Sequence, residues 1–253
     1  MDTRTMASIN LHAVLRACVP LVENDPVARE IVKDSNISVR FDIPGIEPRT
    51  LIFDHGTARS EAPGPSKPDL RLGFVSPAHF NSMIAGKGIP VPMWGAHRMG
   101  FLLGPFTKLT DRLSYILQTP ESATLTAEEE ELKTFLTANV AFAALCEVAN
   151  TDPVGQKIAH GMRDGALIVE VPSEGIKFAC QTKDHKLTFS PDGSHTDPNA
   201  WMTFDSKETF RAVLDGAVDT YAIIGQDKLV MSGVILNIDA ANKMLGRVSR
   251  YLA

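Results

Sequence analysis

The sequence is poor in the features on which many enzymes and nucleic-acid-binding proteins depend. Three cysteines in 253 residues form no CxxC pair, and so sparse a set predicts reduced, mostly buried thiols. The net charge of -5 argues against an obligate nucleic-acid partner, which usually needs a basic surface. The longest apolar-leaning stretch beside a helix, 134–146, is well short of the roughly 20 residues that span a bilayer. These absences favour a cytoplasmic protein without stable membrane insertion.

The familiar catalytic and cofactor motifs are also missing. No GxGxxG follows a predicted strand, and Gly86-Lys87-Gly88 lacks the spacing of a phosphate loop. The seven histidines include no HExxH and no partner cysteine at zinc spacing. Asp54-His55 stands at a predicted strand end without a nucleophile motif, and a solvated turn explains His185, Asp192 and His195 better than a metal site does. We therefore expect no catalytic residue, no cofactor and no metal.

What the sequence does contain is an internal repeat. Asp25-Pro26-Val27 recurs as Asp152-Pro153-Val154 at a shift of 127, and Ile43-Pro44 recurs as Val171-Pro172 at a shift of 128. Five more identities share a shift of 130 in one ungapped stretch. They pair Phe74, Ser76, Phe80, Gly86 and Gly95 with Phe204, Ser206, Phe210, Gly216 and Gly225. The repeat predicts two related domains, 1–118 and 127–253, with a polar linker at 119–126.

Helix signals recur in both halves. Each half begins with an amphipathic helix, and Thr126 with Glu129 forms a capping box before the second of these. Asp25 and Asp152 each precede a proline, which predicts the N-cap of a short second helix. Each half also ends in an amphipathic helix, for which Asp239 is the predicted cap in the second half. The common order of elements strengthens the case for duplication.

Strand signals lie between these helices. Residues 37–43 alternate apolar and polar side chains, as do 70–74, and this pattern predicts strands with one buried face. Residues 186–190 form a further predicted strand that the proline-rich stretch 62–68 does not obviously copy. After the alternating strand at 70–74 and its counterpart come a serine cap and a helix that Gly86 or Gly216 ends as the C′ residue. The fold class is therefore α+β in each domain.

The second half carries a more specific pattern. A strand ends in Trp201-Met202-Thr203-Phe204, a helix follows over 206–215, and Leu229 to Ile235 form a strand that contains Ser232-Gly233. In this order of elements the half resembles the sterol-carrier-protein type 2 family over about 162–252. Through the repeat, about 33–117 resembles it less well. The resemblance implies two sterol-carrier-like domains, each a mostly antiparallel sheet covered by helices. It also implies an apolar tunnel between helices and sheet that holds a fatty or isoprenoid chain.

One stretch of the first half departs from the family pattern. Residues 88–94 contain two prolines, which cannot donate to a central sheet ladder, so an edge strand or loop is predicted there. Two interpretations stay open at this point. The stretch is either a modified mouth for a ligand or part of a degenerate copy that is kept as a packing partner.

Two functions are compatible with these observations. The first is non-enzymatic binding or transfer of a hydrophobic small molecule, such as a fatty acyl, sterol-like or isoprenoid lipid. The predicted lining residues are Phe204, Phe210, Leu214, Ile224, Met231, Met244 and Leu245. The second is an interaction or scaffold protein whose tunnels are filled by side chains and which binds a protein partner. A packed interior together with an exposed apolar patch would favour the second function.

Overall fold

The computed structural model of the protein describes residues 1–120, 122–215, 218 and 220–252. The chain divides into two compact units, Met1–Leu136 and Thr137–Ala253. Each unit contains one five-stranded sheet, so the protein is α+β with two sheets, as the sequence predicts. The placement of a linker at 119–126 stays a prediction, and the boundary between the compact units lies inside a helix.

A continuous helical stretch from Thr3 to Asn24 opens the first unit. It comprises α1 (Thr3–Ile9), a π-helical turn (Asn10–Val14), a 3₁₀ turn (Leu15–Ala17) and α2 (Cys18–Asn24). Asp25 follows and caps α3 (Pro26–Ile31), because its side chain accepts the N–H of Val27 at 3.2 Å. Leu11, Leu15, Cys18 and Val22 are buried, so the predicted apolar face lies in the core.

The first sheet has the strand order β3-β2-β1-β4-β5. Its strands are β1 (Asn36–Asp42), β2 (Arg49–Asp54), β3 (Thr57–Glu61), β4 (Leu70–Gly73) and β5 (Val91–Trp94). Only the pair β1 and β4 is parallel among the four neighbouring pairs, so the sheet is mostly antiparallel. The other elements after β4 are α4 (Pro77–Ile84), a 3₁₀ turn (Ala96–Arg98), α5 (Met99–Phe101), a π-helical turn (Leu102–Phe106) and α6 (Thr107–Leu117).

Phenylalanines join the helices of the first unit to one face of its sheet. Phe41 on β1 lies 6.5 Å from Phe80 of α4 and 6.1 Å from Phe106, measured between ring centroids. Phe53 on β2 lies 6.3 Å from Phe106. Edge-to-face and tilted contacts of this kind are favoured by the ring quadrupoles. The helix-covered face is therefore the one that carries the apolar half of the alternating pattern.

The second unit repeats this plan after α7 (Ala127–Thr151), which begins with the predicted capping box. Thr126 N–H donates to Glu129 at 2.9 Å, and Glu129 N–H donates to Thr126 Oγ1 at 3.2 Å. The strands are β6 (Gly165–Val171), β7 (Ile176–Lys183), β8 (Lys186–Ser190), β9 (Pro198–Phe204) and β10 (Leu229–Gly233). The helices that follow α7 are α8 (Pro153–Ala159), a 3₁₀ turn (Pro172–Glu174), α9 (Lys207–Leu214), α10 (Thr220–Gly225) and α11 (Ile235–Leu252).

The two sheets agree in strand order, strand direction and register. The order β8-β7-β6-β9-β10 matches that of the first sheet position by position, with the parallel pair again in the same place. The sequence shift of 128 takes Val39 to Leu167, and the shift of 130 takes Leu70 to Ala200. Val39 pairs with Leu70 in the first sheet, and Leu167 pairs with Ala200 in the second. Identities found in the sequence thus reproduce the pairing of strands that are distant along the chain.

The structure corrects one pair of the repeat. The predicted partner of Gly95, Gly225, is the last residue of α10. The structural equivalent of Gly95 is instead Gly233, because Gly95 directly follows β5 and Gly233 ends β10, both with positive φ, 74° and 86°. A Cβ would lie 1.9 Å from the carbonyl oxygen of Asp69 at Gly95 and 2.2 Å from that of Asn199 at Gly233. The two copies therefore differ in length before the last strand, where the second unit has α10 and the first has a short loop.

Two smaller predictions also change, and one is confirmed. The first unit does have a counterpart of β8, since β3 forms directly after a tight turn at His55 and Gly56. Asp239 lies inside α11, which begins at Ile235, and pairs with Lys243 at 2.7 Å instead of capping the helix. Gly86 follows α4 with a φ of 72°, as a C′ residue does. Its predicted counterpart Gly216 lies outside the described residues.

Candidate ligand sites

The seven lining residues predicted in the second unit lie on β9, β10 and the helices α9, α10 and α11. Phe204, Phe210 and Met244 are buried, and the rings of Phe204 and Phe210 are 4.9 Å apart. Leu214, Ile224, Met231 and Leu245 are half-buried. The first group fills the interior, whereas the second group lies at its margin.

The strand register explains which of these side chains share a face. Met231 pairs with Met202, so both project to the side of the sheet where Phe204 lies. Trp201 projects to the opposite side and packs against Ala166, Ile168 and Ala179 there. The sequence predicts this opposite orientation of Trp201, and the structure confirms it.

The first unit contains a cavity of about 450 Å³ at the end of its sheet. Its lining residues come from the ends of β1 and β4, from the segment before β2 and from β5. They are Asp42, Ile43, Pro44, Pro48, Arg71, Gly73, Phe74, Val75, Val91 and Met93. This volume falls within the usual range for small-molecule sites, which are mostly apolar with a few polar groups. The cavity is therefore a candidate ligand site, in the half that the sequence treats as more diverged.

A β-bulge in β5 shapes this cavity. Val91 pairs with Gly73 and Trp94 pairs with Arg71, but the register shifts between them, which inserts an extra residue. Met93 packs over Gly73, where a Cβ would lie 2.4 Å from its sulfur. Val91, Met93 and Trp94 consequently lie on one side of the strand. The two prolines at 88–94 predict an edge strand or a loop, and β5 is an edge strand of the first sheet.

The polar side of the cavity is formed by Asp42 and Arg71, and Arg40 lies beside Asp42 outside the lining. Asp42 accepts from Arg40 Nε at 3.1 Å and from Arg71 Nε at 2.6 Å. Two guanidinium groups thus share one carboxylate on the face that the helices do not cover. Arg71 is only half-buried, so its terminal N–H groups can reach a ligand in the cavity. A guanidinium in this position is suited to a carboxylate or phosphate.

No protein-family model matches the chain, and no curated protein matches it.

A second cavity of the first unit, of about 520 Å³, lies between α3 and the start of α6. Pro26, Val27, Ile31 and Pro105 form its apolar walls. Half of the Val27 side chain is exposed there. This cavity lacks the pair of arginines that distinguishes the first.

Each unit buries its capping aspartate against an arginine of its last helix, which sequence reasoning missed. Arg112 of α6 donates from Nε to Asp25 at 2.7 Å and also pairs with Glu129 at 2.8 Å. Arg247 of α11 donates to Asp152 at 2.8 Å, and the Tyr251 hydroxyl donates to the same oxygen at 2.7 Å. Burial opposes the ionisation of Asp152, but these bonds and the N–H of Gly155 lower its pKa to about 2. The only advance signal was the Asp-Pro motif itself.

The histidines and cysteines singled out in the sequence are not gathered into a reactive site. Asp54 and His55 bond to each other at 2.6 Å on an exposed hairpin turn. His195 bonds to the carbonyl of Gly193, and His185 stacks on His160 instead. The three cysteines form no disulfide and are buried, and burial raises the pKa of Cys18 to about 12. In the described ranges, no three His, Cys, Asp or Glu residues are placed to hold a metal.

Two helical stretches among the described residues have the length and hydropathy of a membrane span. They are Thr3–Asn24 and Ala127–Thr151. In each stretch, 72% of the most apolar 18-residue segment is buried inside the structure. Core helices of water-soluble proteins are buried in the same way. Their composition is therefore weak evidence for a membrane location.

Proposed function

We propose that the protein is a non-enzymatic carrier of a hydrophobic ligand, built from two sterol-carrier-like domains that arose by tandem duplication. The cavity beside β5 carries this proposal, because its walls are mainly apolar and its volume suits a fatty acyl or similar chain. Burial contributes about 0.8 kcal/mol per methylene, so a chain of roughly a dozen carbons provides enough free energy to offset binding costs. The common register of the two sheets supports the duplication.

The second unit supplies a second proposed site at the half-buried margin of its interior. Leu214, Ile224, Met231 and Leu245 lie around the buried Phe204, Phe210 and Met244 on elements that contact one another. A ligand between β10 and the helices α10 and α11 would cover these side chains. This site corresponds to the apolar tunnel that the family resemblance implies.

The charge at the first cavity favours an anionic head group on the ligand. Arg71 lines the cavity and shares the Asp42 carboxylate with Arg40, which lies outside the lining, so a ligand carboxylate at Arg71 would complete the pairing of the two arginines. Of the fatty acyl, sterol-like and isoprenoid lipids, a free fatty acid fits this arrangement best. Fatty alcohols of the same length match the apolar walls but lack the charge.

The decisive experiment combines native mass spectrometry with a solvent extract of the gently purified protein. We expect up to two long-chain ligands per chain. Val91→Asp should remove one equivalent and Met231→Lys the other, because each places a charge at one of the two sites. An empty protein that also fails to take up added fatty acids would refute the carrier function.

A second measurement tests the head group. Arg71→Gln should weaken fatty-acid binding by about tenfold or more, the value of a charge-assisted hydrogen bond, and leave fatty-alcohol binding unchanged. Arg59→Gln is the matched control, since Arg59 forms a similar exposed pair with Glu61 on the far edge of the same sheet. Equal losses for the acid and the alcohol would contradict an anionic head at Arg71.

A scaffold function is the alternative, and one observation favours it. The contact between Phe204 and Phe210 fills part of the predicted tunnel, and exposed apolar side chains surround β5. A ligand-free protein whose β5 surface binds another protein would establish this alternative.

A further inference from the structure

Exposed apolar side chains cluster around the mouth of the first cavity. We call Val75, Ile89, Val91, Met93 and Trp94 the β5 patch. Ile89 is 79% exposed and Trp94 is 67% exposed, which is far above what a core or a packed surface allows. Val75, Val91 and Met93 also line the cavity, so the patch and the cavity are continuous. A cluster of this kind marks an interaction surface.

The patch is a built feature of the fold. The β-bulge places Met93 and Trp94 on the same side of the strand, whereas a regular strand would direct them to opposite faces. His79 ties together the two flanks of the patch, since its ring lies 3.3 Å from Val75 N–H and 2.9 Å from the carbonyl of Ile89. The apolar side chains are therefore held in an exposed arrangement.

The surrounding sequence is strongly one-sided in charge. Residues 70–110 contain Arg71, Lys87, Arg98 and Lys108 but no aspartate or glutamate, in a chain whose net charge is -5. Lys87 and Arg98 flank the patch directly in sequence and are exposed. The corresponding stretch of the second unit, 200–240, has six acidic and three basic residues. The positive charge of this stretch thus has no counterpart in the equivalent stretch of the second unit.

A protein partner that adds a strand to the sheet does not fit this edge. β5 is an edge strand, but Pro92 lacks the N–H that a new strand would pair with, and the bulge breaks the ladder. A lipid surface requires no such hydrogen bonds. Tryptophan and aliphatic side chains enter the interface of a bilayer, and nearby cations are attracted to anionic head groups.

We propose that the β5 patch docks on a membrane surface that contains anionic lipids, with Ile89, Met93 and Trp94 entering the interface. Lys87 and Arg98 contact the head groups. The mouth of the cavity then faces the membrane, from which a ligand is able to enter. This contact is peripheral and reversible. It does not depend on the carrier function, because docking is measured without any ligand.

The test is sedimentation of the full-length protein with two kinds of vesicle. One kind contains phosphatidylcholine alone and the other contains phosphatidylcholine with phosphatidylserine. We expect binding to the second kind only, and its loss at high salt. Lys87→Gln with Arg98→Gln should reduce partitioning about 30-fold, since each cation near an anionic surface contributes roughly fivefold. Lys186→Gln with Lys243→Gln, two exposed lysines of the second unit, should leave partitioning unchanged.

The apolar contribution is tested by Trp94→Ser with Ile89→Ser, both at exposed positions where folding is unaffected. We expect a loss of about tenfold or more, the value of burying such side chains. Val230→Ser with Ile235→Ser is the matched control, because these exposed residues lie in the equivalent edge strand β10 and at the start of the helix that follows it. Equal binding to both vesicle types, no binding to either, or the same loss in the control would overturn the proposal. So would a dimer, or a complex with another protein, that depends on Trp94.

Discussion

His12 is a histidine that the fold keeps uncharged. It lies on the π-helical turn, is 6% exposed, and its Nδ1 accepts from Arg49 Nε at 2.7 Å. Burial, and then the positive charge of Arg49, lower its pKa from 6.5 to about 3, although a hydrogen bond to the backbone of Glu47 opposes the change. The helix that carries His12 is thus tied to the sheet by a bond that protonation would break.

This lowered pKa predicts an acid-sensitive first unit. Below pH 6.5 the unfolded chain takes up a proton at His12 and the folded chain does not until about pH 3. The contribution of His12 to the free energy of unfolding is therefore fully present above pH 6.5. Below that pH the free energy of unfolding falls by up to about 1.4 kcal/mol per pH unit. Hydrogen exchange of β1 and β2, measured by mass spectrometry from pH 7 to pH 4, reports this loss.

The matching variant is His12→Gln, which keeps an acceptor for Arg49 but does not titrate. This variant should reduce the pH dependence of the free energy of unfolding of the first unit by the equivalent of one proton. His55→Gln, at an exposed histidine, should change nothing. A pH dependence in His12→Gln equal to that of the unmodified protein would contradict the assignment.

Among the elements, the last strand of each sheet ends at a glycine that the backbone requires. Gly233 has a φ of 86°, and its Cα approaches Asn199 so closely that no Cβ fits. We expect Gly233→Ala to lower the free energy of unfolding of the second unit by about 1–3 kcal/mol, because strain and steric overlap combine. Gly246→Ala is the control, since Gly246 lies inside α11 with open space around it and alanine favours helices.

Thermal unfolding distinguishes these variants. Gly233→Ala should unfold at a lower temperature than the unmodified protein, and Gly246→Ala at the same temperature or a higher one. If Gly233→Ala were as stable as the unmodified protein, the equivalence of Gly95 and Gly233 would lose its physical basis.

The elements also show how far the sequence leads. Alternation and capping residues predicted the α+β class, the strands at 37–43 and 70–74 and the capping box at Thr126, because these signals are local. The pairing of Gly95 with Gly225 failed, since an ungapped comparison cannot reveal that α10 is present in one copy only. A ligand mouth at 88–94 was one of two open interpretations, but the cavity beside β5 itself was not predicted. It depends on Arg71, Gly73 and Met93 meeting across strands, and no sequence period reports such a contact.

At the scale of the whole molecule, each unit ties its capping aspartate to its final helix. Asp152 has a side chain only 2% exposed and binds Arg247, Tyr251 and the N-terminus of α8 at once. Because the pKa of Asp152 is lowered from 3.8 to about 2, its contribution to stability is present above pH 3.8. That contribution is lost as the pH falls through about 2.

Asp152→Asn should therefore lower the free energy of unfolding of the second unit at pH 7 by about 2–3 kcal/mol, the equivalent of the lowered pKa. Trp201 reports on this unit, so urea unfolding can be followed by its fluorescence after Trp94→Phe removes the other tryptophan. Asp239→Asn breaks only an exposed pair within α11 and should cost less than about 0.5 kcal/mol. A loss no larger for Asp152→Asn than for Asp239→Asn would show that the buried network is not stabilising.

The same pairing has a consequence for how the chain is made. Asp25, Arg112 and Glu129 all precede the first strand of the second sheet, so the ribosome releases every member of this cluster before that sheet is synthesised. The buried ion pair between Asp25 and Arg112 in the first unit can then form during translation. The second unit has to wait for Arg247 and Tyr251, which belong to α11 and are synthesised after all of its strands. Nascent chains stalled between the two units should already protect β1 from exchange, whereas β6 becomes protected only after α11 has emerged.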